Sequence, residues 1–167
     1  DAQQNKAKGA RAAKDPPKDY LAAQYFLEDG RPAASAVAFK ASGVAASRYL
    51  PGSKLPMVML RGLFRVIADG FADDGTPIVA ITGDKPVMWE AAVRNAKGTD
   101  LRYRARFNQW GASLQIEYNA ALITPAQIAN LFQTAGFHVG VGHWRPGSTV
   151  SNTGHLGTFR VVTEAAA

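Results

Sequence analysis

The strongest periodic signal in the chain is an alternation of apolar and polar positions. Over residues 101–107, Leu101, Tyr103, Ala105 and Phe107 interleave with Arg102, Arg104 and Arg106. Over 110–118, Trp110, Ala112, Leu114, Ile116 and Tyr118 interleave with Gly111, Ser113, Gln115 and Glu117. A period of two is that of a strand with one buried and one wet face. The two runs predict a hairpin turning at Asn108-Gln109, with an aromatic and aliphatic core side and an outer side that carries three arginines. Residues 60–67 have strand composition, with Leu60, Gly62, Phe64 and Val66 on one face and Arg61 and Arg65 on the other. Residues 78–81 form a short apolar run between turn signals at Asp73-Asp74-Gly75 and Gly83-Asp84, and 158–162 have the composition of a last strand.

Two stretches follow the helical period instead. Thr124-Pro125-Ala126-Gln127 is a capping-box pattern with proline at the first helical position. Ile128, Leu131, Phe132 and Ala135 continue it with i, i+3, i+4, i+7 spacing, and Gly136 is the expected left-handed cap. Residues 32–50 are rich in alanine, with Val37, Ala41, Val44, Ala45 and Ala46 near helical spacing. Gly43 weakens that helix by about 1 kcal/mol, and Pro51-Gly52 ends it. Strand, helix and strand with a hairpin attached predict an α+β fold. Its specific expected form is ferredoxin-like, with an antiparallel sheet and helices on one face.

Residues 1–18 show no apolar periodicity and end in Asp15-Pro16-Pro17, so they read as a flexible basic segment or linker. Residues 19–163 read as one domain and 164–167 as a tail. Because the sheet needs a strand that 1–18 cannot supply, the chain reads as a fragment whose first strand lies upstream. The 167 residues, 47% hydrophobic and 19% charged, suffice for a core. No apolar run reaches the roughly 18–20 residues that span a bilayer, the start lacks a signal-peptide layout, and no membrane partner is expected. Zero cysteines exclude disulfides and thiolate metal sites. A cytoplasmic location, in the host cell if the protein is viral, is the default expectation.

The net charge of +6 is unevenly placed. Residues 1–18 set Lys6, Lys8, Arg11, Lys14 and Lys18 against Asp1 and Asp15. Residues 85–110 set Lys85, Arg94, Lys97, Arg102, Arg104 and Arg106 against Glu90 and Asp100, while the rest is close to balanced. Basic patches of this kind suit a polyanion. Guanidiniums about 6.5–7 Å apart on one pleated face match successive phosphates of an extended single strand, with Arg94 and Lys97 nearby. The plainer reading is a solvated face whose charge deters strand pairing.

A second candidate is the glycine-rich stretch holding Gly140, Gly142, Gly147, Gly154 and Gly157 around His143, Trp144 and Arg145. It has neither the Gly-Lys-Ser/Thr of a phosphate-binding loop nor the strand-to-helix context of a dinucleotide fingerprint. Glycines at this density permit close backbone approach to a ligand, with a stacking and an ionic side chain at the same place. They also simply turn corners. Lys40 and Arg48 lie on the small-residue helix, beside the expected path of a bound strand. His138, His143 and His155 do not have metal-ligand spacing, and no cofactor, metal or catalytic grouping is expected. A metal-independent nuclease using His143 or His155 is the enzymatic alternative.

Residues 20–40, Asp100-Leu101-Arg102-Tyr103-Arg104 and Gly140-Val141-Gly142-His143-Trp144-Arg145-Pro146 resemble a family of uncharacterised bacteriophage proteins, over 19–159. At fold level, the glycine-rich loop at 140–157 and the proline-led small-residue helix at 32–48 resemble the RAMP superfamily of RNA-binding proteins, which includes backbone subunits of CRISPR effector complexes. The arginine face and the loop predict a non-catalytic protein that binds single-stranded RNA or DNA; the phage resemblance brings no established activity, and the RAMP resemblance implies copies able to line up as an oligomer or filament along the strand. The alternative of another class is a phage structural or assembly protein that uses the loop for subunit contacts.

Overall fold

The computed structural model describes residues 14–50, 56–95, 98–150 and 152–162, with Arg94, Asn95 and Gly98 described by backbone alone. In chain order the elements are α1 (Pro16–Ala22), β1 (Tyr25–Phe26), β2 (Pro32–Ser35), α2 (Ala36–Ala46), a 3-10 turn (Ser47–Tyr49), α3 (Met57–Leu63), β3 (Phe64–Val66), β4 (Gly70–Phe71), β5 (Pro77–Ala80), β6 (Thr82–Gly83), β7 (Val87–Asn95), β8 (Gly98–Arg106), β9 (Trp110–Gly111), β10 (Ile116–Tyr118) and α4 (Pro125–His138). The fold is α+β, and the β1–β2, β2–β5, β4–β5, β3–β10 and β7–β8 pairings are antiparallel. Where the pattern predicts one domain over 19–163, the chain divides into two compact units. The smaller is Asp1–Gln24 with Gly83–Trp110; the larger is Tyr25–Thr82 with Gly111–Ala167.

The smaller unit is a long hairpin with a short helix. β8 pairs with β7 from Val87↔Arg106 to Asn95↔Gly98, which overturns the expected hairpin across Asn108-Gln109. β9 pairs with β6, and β10 pairs with β3. The true partner carries its own period-two signal in Val87, Trp89, Ala91 and Val93, but Met88 and Ala92 between them blur the contrast. α1 packs on β8. It begins where a linker was expected: the Asp15 carboxylate accepts from the Lys18 amide at 3.2 Å, and prolines fill the first helical positions, where a missing N–H costs nothing. Residues 1–13 of the expected linker and the 164–167 tail lie outside the described residues.

The larger unit holds a four-stranded sheet in the order β1-β2-β5-β4, the β3–β10 pair, and α2, α3 and α4. Leu27, Ala33, Ile78 and Ala80 form a buried cluster on the sheet. α2 packs against α3 and α4 and against β3 and β5. Its Phe39 meets Phe159 edge-on, and Phe64 meets Phe132 in the same way at 5.8 Å. Burial of the Phe39, Phe64 and Phe132 rings contributes about 1.5–3 kcal/mol each. Gly43 lies where this packing is tightest, since a Cβ there would sit 3.2 Å from the Phe64 ring and 3.3 Å from that of Phe132.

Several expected boundaries move for identifiable reasons. Residues 57–63 are helical, and the strand is confined to β3. Met57, Leu60 and Leu63 recur at helical spacing, and Leu60 and Leu63 are buried while Arg61 and Gly62 are exposed. Residues 32–35 pair in the sheet, so α2 begins at Ala36. α4 runs past Gly136 to His138. Gly136 is there because a Cβ would run into the Phe159 carbonyl, and the left-handed residue is Gly140, at φ 68°. Residues 158–162 form no ladder; their backbone follows α4, with the Phe159 amide donating to the Gly136 carbonyl and the Val161 amide to the Gln133 side chain.

Candidate functional site

The arginine strand is the first place to look for an anion site, and it is not a row of three equivalent open cations. Register puts Arg102, Arg104 and Arg106 opposite Ala91, Trp89 and Val87, hence on one face with them. Asp100, two residues from Arg102 on that face, has a side chain only 14% exposed. It takes Lys14 at 3.2 Å and Arg102 at 3.7 Å, while Lys14 also donates to the Leu101 carbonyl at 2.7 Å. The Arg104 Nε is buried with no hydrogen-bond partner. Arg106 alone of the three is exposed without a partner among the described residues. The opposite face is not the dry one expected, since Met88 is 51% and Leu101 42% exposed. There Tyr103 faces Glu90, and its hydroxyl pKa is raised by partial burial and by that carboxylate. Arg94 pairs with Thr99 in the backbone register; Lys97 lies outside the described residues.

The glycine-rich loop belongs to the larger unit, so the two sequence candidates fall in different units. Its glycines approach the loop's own backbone. A Cβ on Gly154 would run into the Arg145 carbonyl, and one on Gly157 into that of Val141. A Cβ on Gly147 would meet Val139 at 2.8 Å, and one on Gly140 the Gly157 carbonyl at 3.0 Å. Only Gly142, at φ 76°, faces open space among these five. Hydrogen bonds hold the two limbs together: Val141 N–H to the Gly157 carbonyl, Leu156 N–H to that of Trp144, and Gly147 N–H to that of Val139, each at 2.9 Å. The close approach foreseen for a ligand is therefore largely used by the loop itself.

What the folded loop presents is Trp144. It is the one non-glycine residue at positive φ among the described residues, at 59°, and it is 37% exposed. A bulky residue in the left-handed region is an outlier that costs of order 1–3 kcal/mol and persists only where its surroundings over-determine it. His143 lies against its ring, with centroids 6.3 Å apart. Arg145 closes the turn by donating from Nη1 to the Gly142 carbonyl at 3.1 Å. His155 is exposed, its Nδ1 3.3 Å from the Thr153 carbonyl.

Three further cations of the larger unit are helical: Lys40 and Arg48, both candidates from sequence, and Arg61, which sequence reading passed over. α2 carries Lys40, the 3-10 turn Arg48 and α3 Arg61, while α4 carries no lysine or arginine; not one of these four elements contains an aspartate or glutamate. A solvated helical surface ordinarily mixes both signs, and opposite charges pair along it. Here Lys40, Arg48 and Arg61 have no carboxylate partner among the described residues. Lys40 and Arg61 line a shallow groove of about 330 Å³ with Arg65, Glu117 and Tyr118. Arg65 and Glu117, directly opposite across β3 and β10, form an ion pair. The hydrogen bond from Arg65 holds the Glu117 carboxyl below its ordinary pKa. The groove therefore holds three cations against one carboxylate that is already paired.

Among the described residues, no three metal-ligating side chains cluster and no helix is long and apolar enough to cross a membrane. No family model matches the chain, and neither a curated protein nor a solved structure matches it.

Proposed function

We propose that the chain is a non-catalytic protein that binds single-stranded RNA or DNA, phage-encoded as its sequence resemblance implies. The phosphates are held by the helical surface of the larger unit, and Trp144 offers a stacking face. A ferredoxin-like, RAMP-type ancestry is part of the same proposal. The observation that carries it is the charge of that surface: Lys40, Arg48 and Arg61 on elements that contain no carboxylate. Such a surface gains free energy by releasing counterions from a polyanion and gains little from neutral ligands. Trp144 and Arg145 add the aromatic and guanidinium planes on which unpaired bases stack. Arg106, Lys85 and Lys18, all exposed on the smaller unit, supply further positive charge without forming a phosphate ladder.

The test is affinity for a single-stranded oligonucleotide as a function of salt. With about three phosphates neutralised, the slope on a single strand is roughly −2, and affinity falls about 20-fold between 50 and 200 mM. A flat salt dependence contradicts the proposal.

One observation favours a second reading, a structural or assembly protein. Met88 and Leu101 are half-exposed on the β7–β8 hairpin, where apolar side chains stabilise a contact between copies. Sedimentation in the absence of nucleic acid distinguishes the two, since this reading requires a defined oligomer and the binding reading does not.

A further inference from the structure

The end of α4 carries a feature that neither the basic surface nor the glycine-rich loop uses. Phe137 is 74% exposed and Tyr49, in the 3-10 turn beside Arg48, is 43% exposed. Single exposed apolar side chains are ordinary; these two are joined by a third ring. His138 stacks on Tyr49 with centroids 4.6 Å apart and planes 11° from parallel, and Phe137 stands nearly perpendicular to His138 at 5.1 Å and 82°. The stack ties the 3-10 turn to the last turn of α4, so the rings are held by two elements at once.

We propose that Phe137, Tyr49 and His138 form a base-stacking site, with Arg48 as its phosphate or stacking cation. The proposal rests on the reading of the chain as a single-strand binder and names where a base is held. A nucleobase suits the patch because every base has a π-face, and an aromatic platform holds it without reading its sequence. The charges select the same occupant. Arg48 adjoins Tyr49, and neither the 3-10 turn nor α4 contains a carboxylate, so a polyanion approaches without repulsion. A single strand also supplies apolar rings and negative charge at alternating positions, matching rings that lie next to an arginine.

The experiment compares a dT12 oligonucleotide with an abasic 12-mer of the same charge, on wild-type protein and on Phe137→Ala, Tyr49→Ala and Phe137→Trp. Because Phe137 is mostly exposed, circular dichroism should be unchanged in its variants. Wild type should prefer dT12 by roughly five- to hundredfold, the range of one to a few stacked bases. Phe137→Ala and Tyr49→Ala should each lower that preference about fivefold or more, the share held by Trp144 remaining, while keeping the affinity for the abasic strand and its salt slope, and Phe137→Trp should restore it. An unchanged preference in Phe137→Ala overturns the stacking site and leaves the binding reading standing. A wild type that binds neither oligonucleotide overturns both. A Phe137→Ala variant that alters self-association but not oligonucleotide binding assigns the patch to a protein contact and also overturns the stacking site.

Discussion

The arginine strand β8 and the helical elements of the larger unit carry three cations each, yet the two sets stand in opposite surroundings. On β8, Asp100 draws in Arg102 and Lys14, and the Nε of Arg104 is buried, so one guanidinium of the three stays open. On the helices, Lys40, Arg48 and Arg61 share their elements with no carboxylate. The alternation of β8 makes its arginines conspicuous in sequence, while the three helical cations are spread over 22 positions of a region whose net charge is near zero. The acidic side chains of residues 25–84 lie elsewhere: Glu28, Asp29, Asp69, Asp73, Asp74 and Asp84 are all outside the helices and strands. Charge summed along a chain and charge shown on a surface are different quantities, and only the second attracts a polyanion.

The sharpest way to break this comparison is to reverse each set in turn. Lys40→Glu with Arg48→Glu and Arg61→Glu should lower oligonucleotide affinity by two to three orders of magnitude at 100 mM salt, on the order of 1 kcal/mol or more per lost charged contact. The same exchange at Arg102, Arg104 and Arg106 should cost about tenfold or less, because only Arg106 is open. Fluorescence anisotropy on both variants decides it, and a ranking in the other order would return the interface to the hairpin.

Next in size is a change that loosens the helical surface without touching its charge. Gly136→Ala places a methyl group against the Phe159 carbonyl on the buried side of α4. Backbone cannot yield as a flexible side chain does, so unfolding stability should fall by about 2–3 kcal/mol, measured by urea denaturation. A loss under about 0.5 kcal/mol would mean that the 158–162 segment is not packed on α4.

The smallest effect concerns Arg65, which Glu117 occupies at neutral pH. Its hydrogen bond lowers the Glu117 pKa, so the pair's contribution to stability is present above the unfolded carboxylate pKa and is lost as pH falls through the depressed folded value. Over that acidic window Arg65 is released, and affinity for the strand should rise severalfold. Glu117→Gln should show the same gain at neutral pH and remove the acid dependence. No gain in Glu117→Gln would place the groove outside the interface.

Much of the local structure was legible in the sequence. Thr124 and Gln127 form the expected capping box around Pro125, and Ile128, Leu131, Phe132 and Ala135 are all buried, because a cap and an apolar stripe are local properties. The strand at Arg102, Arg104 and Arg106 was legible for the same reason. Its partner was not, since pairing with β7 rather than with residues 110–118 is decided by tertiary contacts of strands that look alike in isolation. Lys40 and Arg48 were visible as candidates, whereas Arg61 was hidden by reading 60–67 as a strand. The stack of Tyr49 and His138 joins residues far apart in sequence and had no local signal. The glycines at 140–157 were expected to permit close approach of a ligand; four of the five instead admit the loop's own backbone or side chains, which sequence cannot foresee.

The most direct measurement is the slope of log affinity against log salt for a single-stranded oligonucleotide, taken on wild type and on the Lys40→Glu, Arg48→Glu, Arg61→Glu variant. A helical interface predicts a wild-type slope near −2 and a variant slope near zero. Equal slopes in the two proteins, at any affinity, would contradict it.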